Sequence, residues 1–145
     1  MEVRLATQDD AAAIAEIYNQ AVLAGFQTAE LSPVSIASRR AWLKTHPPDA
    51  YPVWVAHESE EVLGWCSLSA HRPGRAALRH TAEISYYIHK AHHRRGLATR
   101  LMRHALAACP ALGIEVVYAL LLDVNEASVG LLEREGFERW GHLPG

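Results

Sequence analysis

The residues with the clearest chemical potential lie in one basic segment, residues 71–104. It holds eight of the 14 lysines and arginines of the chain and a single carboxylate, that of Glu83. The eight cations are Arg72, Arg75, Arg79, Lys90, Arg94, Arg95, Arg100 and Arg103. Such a run of charge can be a solvated surface, but it is also what a binding site for an anion requires. The residues around which the cations are arranged decide between these two interpretations.

The stretch Arg94-Arg95-Gly96-Leu97-Ala98 connects a predicted strand to a predicted helix. The first turn of a helix has unpaired backbone N–H groups and a partial positive charge, and Gly96 and Ala98 let a ligand approach the backbone closely. The segment therefore predicts a phosphate or pyrophosphate site, although one glycine before a helix often marks only a turn. It is neither a P-loop, since no Gly-Lys-Ser/Thr follows, nor a dinucleotide fingerprint, since the glycines of G-x-G-x-x-G are missing.

The hydrophobic pattern predicts a mixed α/β domain that positions these groups. Predicted strands cover residues 2–5, 51–57, 62–69, 81–89, 116–122 and 137–142. Predicted helices begin at Asp9 or Asp10, at Ser32 or Ser35, near Leu97 and after Asn125. The polar turn 58–61 joins two strands in an antiparallel hairpin. The continuous apolar run 116–122 is typical of a strand that is buried on both faces.

Length and composition predict one globular domain over residues 1–145. The chain is 50% hydrophobic and 21% charged, and no apolar stretch reaches the roughly 18 residues of a membrane helix. Met1 is followed by charged residues rather than by the apolar core of a signal peptide. Cys66 and Cys109 form neither a disulfide framework nor a zinc pattern, so we expect a cytoplasmic protein. A net charge of -2 argues against general nucleic-acid binding.

Residues 81–98, followed by the stretch 125–137, resemble the Gcn5-related N-acetyltransferase (GNAT) superfamily, and within it the phosphinothricin or methionine sulfoximine acetyltransferase branch. The resemblance covers nearly the whole chain. Its other motifs lie at residues 4–7, 17–22, 33–35, 39–42, 79–83 and 141–145. The resemblance implies a mixed central sheet with antiparallel N-terminal strands, one splayed parallel pair and flanking helices.

The same resemblance implies acetyl-CoA as cosubstrate. Its pantetheine would lie between strands 81–89 and 116–122, and its pyrophosphate on the loop 94–98, in agreement with the argument from the helix N-terminus. Backbone N–H groups of Tyr87 and Ile88 would stabilise the oxyanion of the tetrahedral intermediate. The implied cofactor-binding residues are Tyr87, Ile88, His93, Arg94, Arg95, Gly96, Leu97, Ala98, Thr99, Asn125 and Ser128.

Glu83 is the candidate general base. An acceptor amine must lose its proton before it attacks a thioester, and Glu83 corresponds to the base proposed for the family. Nearby arginines are expected to keep it ionised, so deprotonation can run through a water molecule. The alternative is a surface carboxylate that balances Arg79.

The predicted acceptor is the α-amine of a small amino acid or analogue such as methionine sulfoximine or phosphinothricin. Guanidinium groups pair well with carboxylate, phosphinate or sulfoximine oxygens. The predicted acceptor-binding residues are Thr28, Glu30, Arg72, Arg75, Arg79 and Thr81. A homodimer is expected, because relatives continue past Gly145 with at least one more strand that closes the sheet edge; the other explanation is that this chain is truncated.

Three further positions depart from the family pattern. His93 stands where the loop usually begins with Gln or Arg, which leaves backbone binding intact. Leu132 stands where many relatives have Tyr or His, so that position offers no acid for the departing thiolate. Ala29 replaces a common Phe, which reshapes the predicted acceptor pocket.

Rival interpretations remain open at this point. A peptide N-terminal acetyltransferase would use the same residues around a more open groove, and a non-catalytic CoA-binding sensor would retain only the loop. A nucleic-acid module would need aromatic residues among the arginines, which are missing. A metal site at His89, His92 and His93 is not expected, because no helical H-x-x-x-H pair or acidic partner accompanies them.

Overall fold

The structure is a computed structural model that describes residues 1–25, 32–71, 79–122 and 125–141. Its centre is a five-stranded sheet in the order β1-β2-β3-β4-β5. The strands are β1 (Glu2–Leu5), β2 (Val53–Glu58), β3 (Glu61–Ala70), β4 (Thr81–Ile88) and β5 (Val116–Tyr118). The first four strands pair antiparallel with their neighbours, whereas β4 and β5 are parallel. The predicted mixed sheet and the hairpin are therefore confirmed.

Four α-helices flank the sheet, as the hydrophobic periodicity predicts. They are α1 (Ala11–Ala24), α2 (Ile36–Lys44), α3 (Leu97–Leu112) and α4 (Glu126–Arg134). The Ser35 hydroxyl caps α2 by accepting a hydrogen bond of 3.0 Å from the Ser38 N–H. Gly113 ends α3 in the left-handed conformation, at φ +75°. None of the helices in the described residues is long and apolar enough to cross a lipid bilayer.

The two faces of the sheet bury different side chains. On the α1 face, Trp65 and Tyr87 pack with apolar residues of α1 and α2. On the α3 face, Ala82 and Ile84 pack with apolar residues of α3 and α4. Because side chains alternate along a strand, Glu83 projects from β4 on the α1 face.

The prediction that residues 116–122 form a strand buried on both faces is wrong. Strand β5 ends at Tyr118, and residues 119–122 leave the sheet. The side chains of Val116 and Leu120 are 51% and 71% exposed. β5 lies at the edge of the sheet, so its apolar residues are covered less than those of a central parallel strand.

The predicted last strand, residues 137–142, is also absent from the described part of the chain. Residues 137–141 are irregular, and His142 lies outside the described residues. Gly136 adopts the predicted left-handed turn after α4, at φ +90°. The Phe137 N–H donates to the Leu132 carbonyl over 2.9 Å, so this backbone completes the end of α4 instead of pairing with a strand.

Candidate active site

The parallel strands β4 and β5 separate soon after they meet. They pair at three positions, the last of which is Glu83 with Tyr118. Strand β4 continues to Ile88, and its pairing with β3 is continuous from Ala82 to Ile88. A cleft of about 40 Å³ remains beyond the last pair. Its lining residues are Ile84, Ser85, Tyr86, Tyr87, Ala119, Leu120, Leu121, Ser128 and Leu132.

The alternation of β4 determines which backbone amides face this cleft. The His89 N–H donates to the Leu63 carbonyl of β3 over 2.8 Å, so the backbone N–H of His89 points away from β5. In an antiparallel pair every second residue points to the same neighbour. Tyr87 therefore directs its N–H toward β3, whereas Tyr86 and Ile88 direct theirs toward the cleft. Of the two predicted oxyanion donors, Tyr87 thus directs its N–H away from the cleft, whereas Ile88 directs its N–H into it.

The turn before α3 has the geometry of an anion-binding helix N-terminus. Gly96 has φ +75°, and Arg94 has φ +65° although it carries a side chain. The first hydrogen bond of α3 runs from the Arg100 N–H to the Gly96 carbonyl over 3.1 Å. The amide groups of residues 97–99 precede that bond, so they have no acceptor within the helix. Two left-handed residues and a helix N-terminus thus place several N–H groups at one turn.

The basic side chains near this turn have different roles. The Arg95 guanidinium contacts Glu58 and His92, both over 2.9 Å, so it braces the turn between β2 and β3. His93 donates through Nε2 to the Ile88 carbonyl over 3.0 Å. Arg94 and Arg100 are exposed and form no hydrogen bond or ion pair with other described residues. These two arginines are the cations that remain for a ligand at the turn.

Glu83 belongs to a hydrogen-bonded chain that sequence reasoning missed. The Tyr118 hydroxyl donates to Glu83 Oε1 over a long 3.5 Å, and His71 Nδ1 lies 2.9 Å from the same hydroxyl oxygen. In the tautomer that carries its proton on Nδ1, His71 donates to the Tyr118 oxygen, whose own proton is directed toward Glu83. The sequence marks Tyr118 as the one residue with a hydroxyl in the apolar run 116–122. Its position beside Glu83, however, depends on the register between β4 and β5.

The surroundings of Glu83 set its protonation. Burial raises the pKa of the Glu83 carboxyl, and the Tyr118 hydrogen bond and the charge of His71 offset only part of that rise. No described arginine forms an ion pair with Glu83. Arg72 and Arg75 lie outside the described residues, so the expectation that arginines keep this carboxylate ionised stays a prediction.

Helix α4 forms the opposite wall of the cleft. Asn125 caps α4, because its Oδ1 accepts a hydrogen bond of 3.3 Å from the Ser128 N–H. The Ser128 side chain lies near enough to the Tyr86 hydroxyl to lower the pKa of that phenol. Leu132, one turn further along α4, is buried. Asn125 thus positions the helix, while Ser128 and Leu132 line the cleft.

Several predicted acceptor residues lie outside the described part of the chain. These are Thr28, Glu30, Arg72 and Arg75, together with Ala29. Arg79 is exposed just before β4, and Thr81 is the first residue of β4, where it pairs with Val116. The roles of these residues in acceptor binding remain predictions.

The histidines that suggest a metal site have other partners. His89 Nδ1 accepts a hydrogen bond from the Ala91 N–H over 3.1 Å, and His92 Nε2 pairs with Glu61 over 2.9 Å. His93 is bonded to the Ile88 carbonyl, as described above. These contacts hold the connection between β4 and α3. Across the described residues, no cluster of three His, Cys, Asp or Glu side chains is arranged to hold a metal ion.

Comparisons with known proteins agree with this geometry. The sequence profile of the acetyltransferase (GNAT) family matches residues 11–137. The L-methionine sulfoximine/L-methionine sulfone acetyltransferase of Pseudomonas aeruginosa is 37% identical over 145 residues, covering 98% of this chain and 83% of that protein.

Two solved structures with acetyl-CoA are similar throughout. The GNAT superfamily phosphinothricin acetyltransferase of Sinorhizobium meliloti has a TM-score of 0.90 at 32% identity, over 97% of this chain and 76% of that one. The yncA protein of Salmonella typhimurium has a TM-score of 0.93 at 33% identity, over 99% of this chain and 83% of that one. On its sequence, its splayed parallel strands and these similarities, the chain belongs to the GNAT family of acetyltransferases.

Proposed function

We propose that this protein transfers the acetyl group of acetyl-CoA to the α-amine of a small amino acid or analogue. Methionine sulfoximine, methionine sulfone and phosphinothricin are the first candidates. The observation that carries the proposal is the course of β4, which pairs with β5 only as far as Glu83 and then leads, unpaired on that side, toward the anion-binding turn at Gly96. The substrates of the similar Pseudomonas and Sinorhizobium enzymes support the choice of acceptor.

Acetyl-CoA, the acetyl donor, matches the binding groups along β4. Its pyrophosphate would be held by the amides of residues 97–99, with charge from Arg94 and Arg100. Its pantetheine would pair with the Ile88 N–H, which faces the cleft. The Tyr86 N–H, two residues nearer to Glu83, is then the donor to the oxyanion of the tetrahedral intermediate.

Glu83 acts as the base in this proposal. Its carboxylate takes a proton from the acceptor ammonium, directly or through a water molecule, so that the nitrogen lone pair can attack the thioester carbonyl. Tyr118 orients the carboxylate, and His71 orients Tyr118. The pair thereby holds the base at the end of the cleft where β4 and β5 separate.

The pocket that binds the acceptor would be cationic. Arg79 precedes the strand that carries Glu83, and Arg72 follows His71 in the sequence. Together with Arg75 they would bind the acidic end of the acceptor and direct its α-amine toward the thioester, and such orientation can lower the barrier by several kcal/mol. Thr28, Glu30 and Thr81 would complete the pocket.

Thiol release from acetyl-CoA tests the substrate class. We expect kcat/KM for methionine sulfoximine, methionine sulfone or phosphinothricin to exceed that for aromatic amino acids, polyamines and short peptides by at least about tenfold, because only the first group has sulfoximine, sulfone or phosphinate oxygens at the end of an amino-acid side chain for the arginines to bind. Activity confined to peptides would favour the N-terminal acetyltransferase alternative. Saturable CoA binding without turnover on the whole panel would favour the sensor.

We also propose a homodimer. The outer edge of β5 has no strand partner among the described residues, and Val116, Leu120 and Trp140 expose large apolar surfaces, Trp140 to 90%. Exposed edges and apolar patches favour association with another chain. Light scattering at micromolar concentration should give a mass near twice the 16.0 kDa of one chain. Val116→Lys should shift the mass toward the monomer, and a fully active monomeric wild type would contradict the proposal.

The cytoplasm is the compartment that we propose. Cys66 and Cys109 are buried free thiols, and burial raises the pKa of both. Such thiols are poor nucleophiles and persist in a reducing compartment.

A further inference from the structure

We propose that the Tyr86 hydroxyl is the catalytic acid that protonates the departing CoA thiolate. The inference rests on the proposed acetyltransferase function and adds a residue to it. Leu132, on the α4 wall of the cleft, has no proton to give, so the donor must come from elsewhere. Strand β4 supplies it from the opposite wall.

The position of Tyr86 is the first argument. Its side chain projects from β4 on the α3 face, where it packs against the core that contains Leu132. Tyr86, Ser128 and Leu132 line the same cleft between the separated strands. The sulfur of a donor whose pantetheine follows β4 would lie in this cleft. The Tyr86 hydroxyl is therefore on the wall that faces the leaving group.

Elimination among the lining residues is the second argument. Four of them carry a hydroxyl, namely Ser85, Tyr86, Tyr87 and Ser128. Ser85 and Tyr87 project from β4 on the α1 face by alternation, away from α4. Of the two that remain, the alcohol of Ser128 is a far weaker acid than a phenol with a pKa near 10. Tyr86 is the lining residue on the α4 side that can protonate a thiolate.

The Ser128 hydroxyl, which lines the same cleft as Tyr86, prepares the phenol for this role. When Ser128 donates to the Tyr86 oxygen, the phenolic proton is free to be directed into the cleft, and the incipient phenolate is stabilised. Burial raises the pKa of Tyr86, and the nearby Ser128 side chain lowers it by a smaller amount. The phenol therefore stays protonated at neutral pH, as an acid must before the transfer.

The proton balance of the step is complete without a further reactant. Glu83 first takes one proton from the acceptor ammonium and releases it to water, and the neutral amine then forms the C–N bond with its lone pair. The nitrogen of the tetrahedral intermediate still carries a second proton to be lost, and Glu83 takes this proton as well. As the tetrahedral intermediate collapses, the C–S bond breaks and its electron pair moves to sulfur, which takes the proton of Tyr86. The phenolate is reprotonated from water, to which Glu83 returns the proton of the amine. The products are the amide, the CoA thiol and one proton released to water.

Single-turnover acetyl transfer measures this step directly. Tyr86→Phe retains the ring and removes only the hydroxyl, and we expect it to slow transfer by about 100-fold, the low end for a general acid. The affinity for CoA should stay within about threefold, since no contact to the pyrophosphate or pantetheine changes. Tyr51→Phe is the matched control, because it removes a hydroxyl outside the cleft and should transfer at the wild-type rate.

Two further measurements separate an acid from a structural hydroxyl. Leu132→His in the Tyr86→Phe background places a new acid on the opposite wall of the cleft. The double variant should transfer the acetyl group at least about tenfold faster than Tyr86→Phe alone. Replacement of Tyr86 by the more acidic 3-fluorotyrosine should move the alkaline limb of the rate profile to lower pH, and it serves as the test if the Phe variant does not fold. A transfer rate for Tyr86→Phe within threefold of wild type, or an unmoved alkaline limb, overturns the inference. A wild type that acetylates no acceptor overturns the proposed function instead.

Discussion

Replacing Glu83 by Gln is expected to lower kcat by about 100- to 10,000-fold, which is the range that a general base contributes. Glutamine keeps the size of the side chain and can still accept the Tyr118 hydrogen bond, so the cleft should retain its shape. What it cannot do is take a proton from the acceptor ammonium. Thiol release gives kcat, and calorimetric titration should show an affinity for CoA that is nearly unchanged.

The pH profile of kcat provides independent evidence on the role of Glu83 as general base. Only the ionised carboxylate is a base, so kcat of the wild type should fall as pH drops through the pKa of Glu83. Burial raises that pKa above the ordinary value of 4.5, so the acid limb should lie at higher pH than for an exposed glutamate. Tyr118→Phe removes a hydrogen bond that lowers the pKa and should move the limb higher still.

A second carboxylate serves as the control for Glu83. Glu115 is exposed just before β5 and lies outside the cleft, so Glu115→Gln should leave kcat and its pH profile unchanged. Equal rates for Glu83→Gln and wild type would assign Glu83 a structural role. In that case the general base would have to be sought among the residues of the acceptor pocket.

Local features of the site could be predicted because they depend on neighbouring residues. Gly96 before a helical repeat indicates a left-handed turn and a helix N-terminus, and both are present. The polar position of Glu83 within a strand that is otherwise largely apolar or aromatic places it on one face by simple alternation. Gly136 after α4 is a further example, since a left-handed helix end needs only a local signal.

Features that depend on register could not be predicted. The contact of Glu83 with Tyr118 exists because these residues pair across parallel strands, and hydrophobic periodicity carries no information on that pairing. The end of β5 at Tyr118 could not be predicted either, because the apolar run in the sequence continues to Leu122. Arg95 was predicted at the ligand, but its guanidinium is held by Glu58, 37 positions earlier in the sequence.

Gly96→Glu is expected to weaken CoA binding by at least about 100-fold, or 2.7 kcal/mol. A side chain at φ +75° strains the turn, at a typical cost of about 1–3 kcal/mol, and so disturbs the amides of residues 97–99. The added carboxylate also repels a pyrophosphate at the same helix N-terminus. Calorimetric titration with CoA measures the loss.

The opposite end of the same helix offers the matched control. Gly113 also has φ +75°, and a Cβ added at either glycine meets nothing within 4 Å, so Gly113→Glu introduces similar strain and the same charge. It lies away from the proposed phosphate site, so it should lower the melting temperature about as much as Gly96→Glu but retain the affinity for CoA. Acetyl-pantetheine, which lacks the pyrophosphate, should react equally with Gly96→Glu and wild type. A CoA affinity that falls alike in both glycine variants would show that the turn at Gly96 supports the fold and does not bind the pyrophosphate.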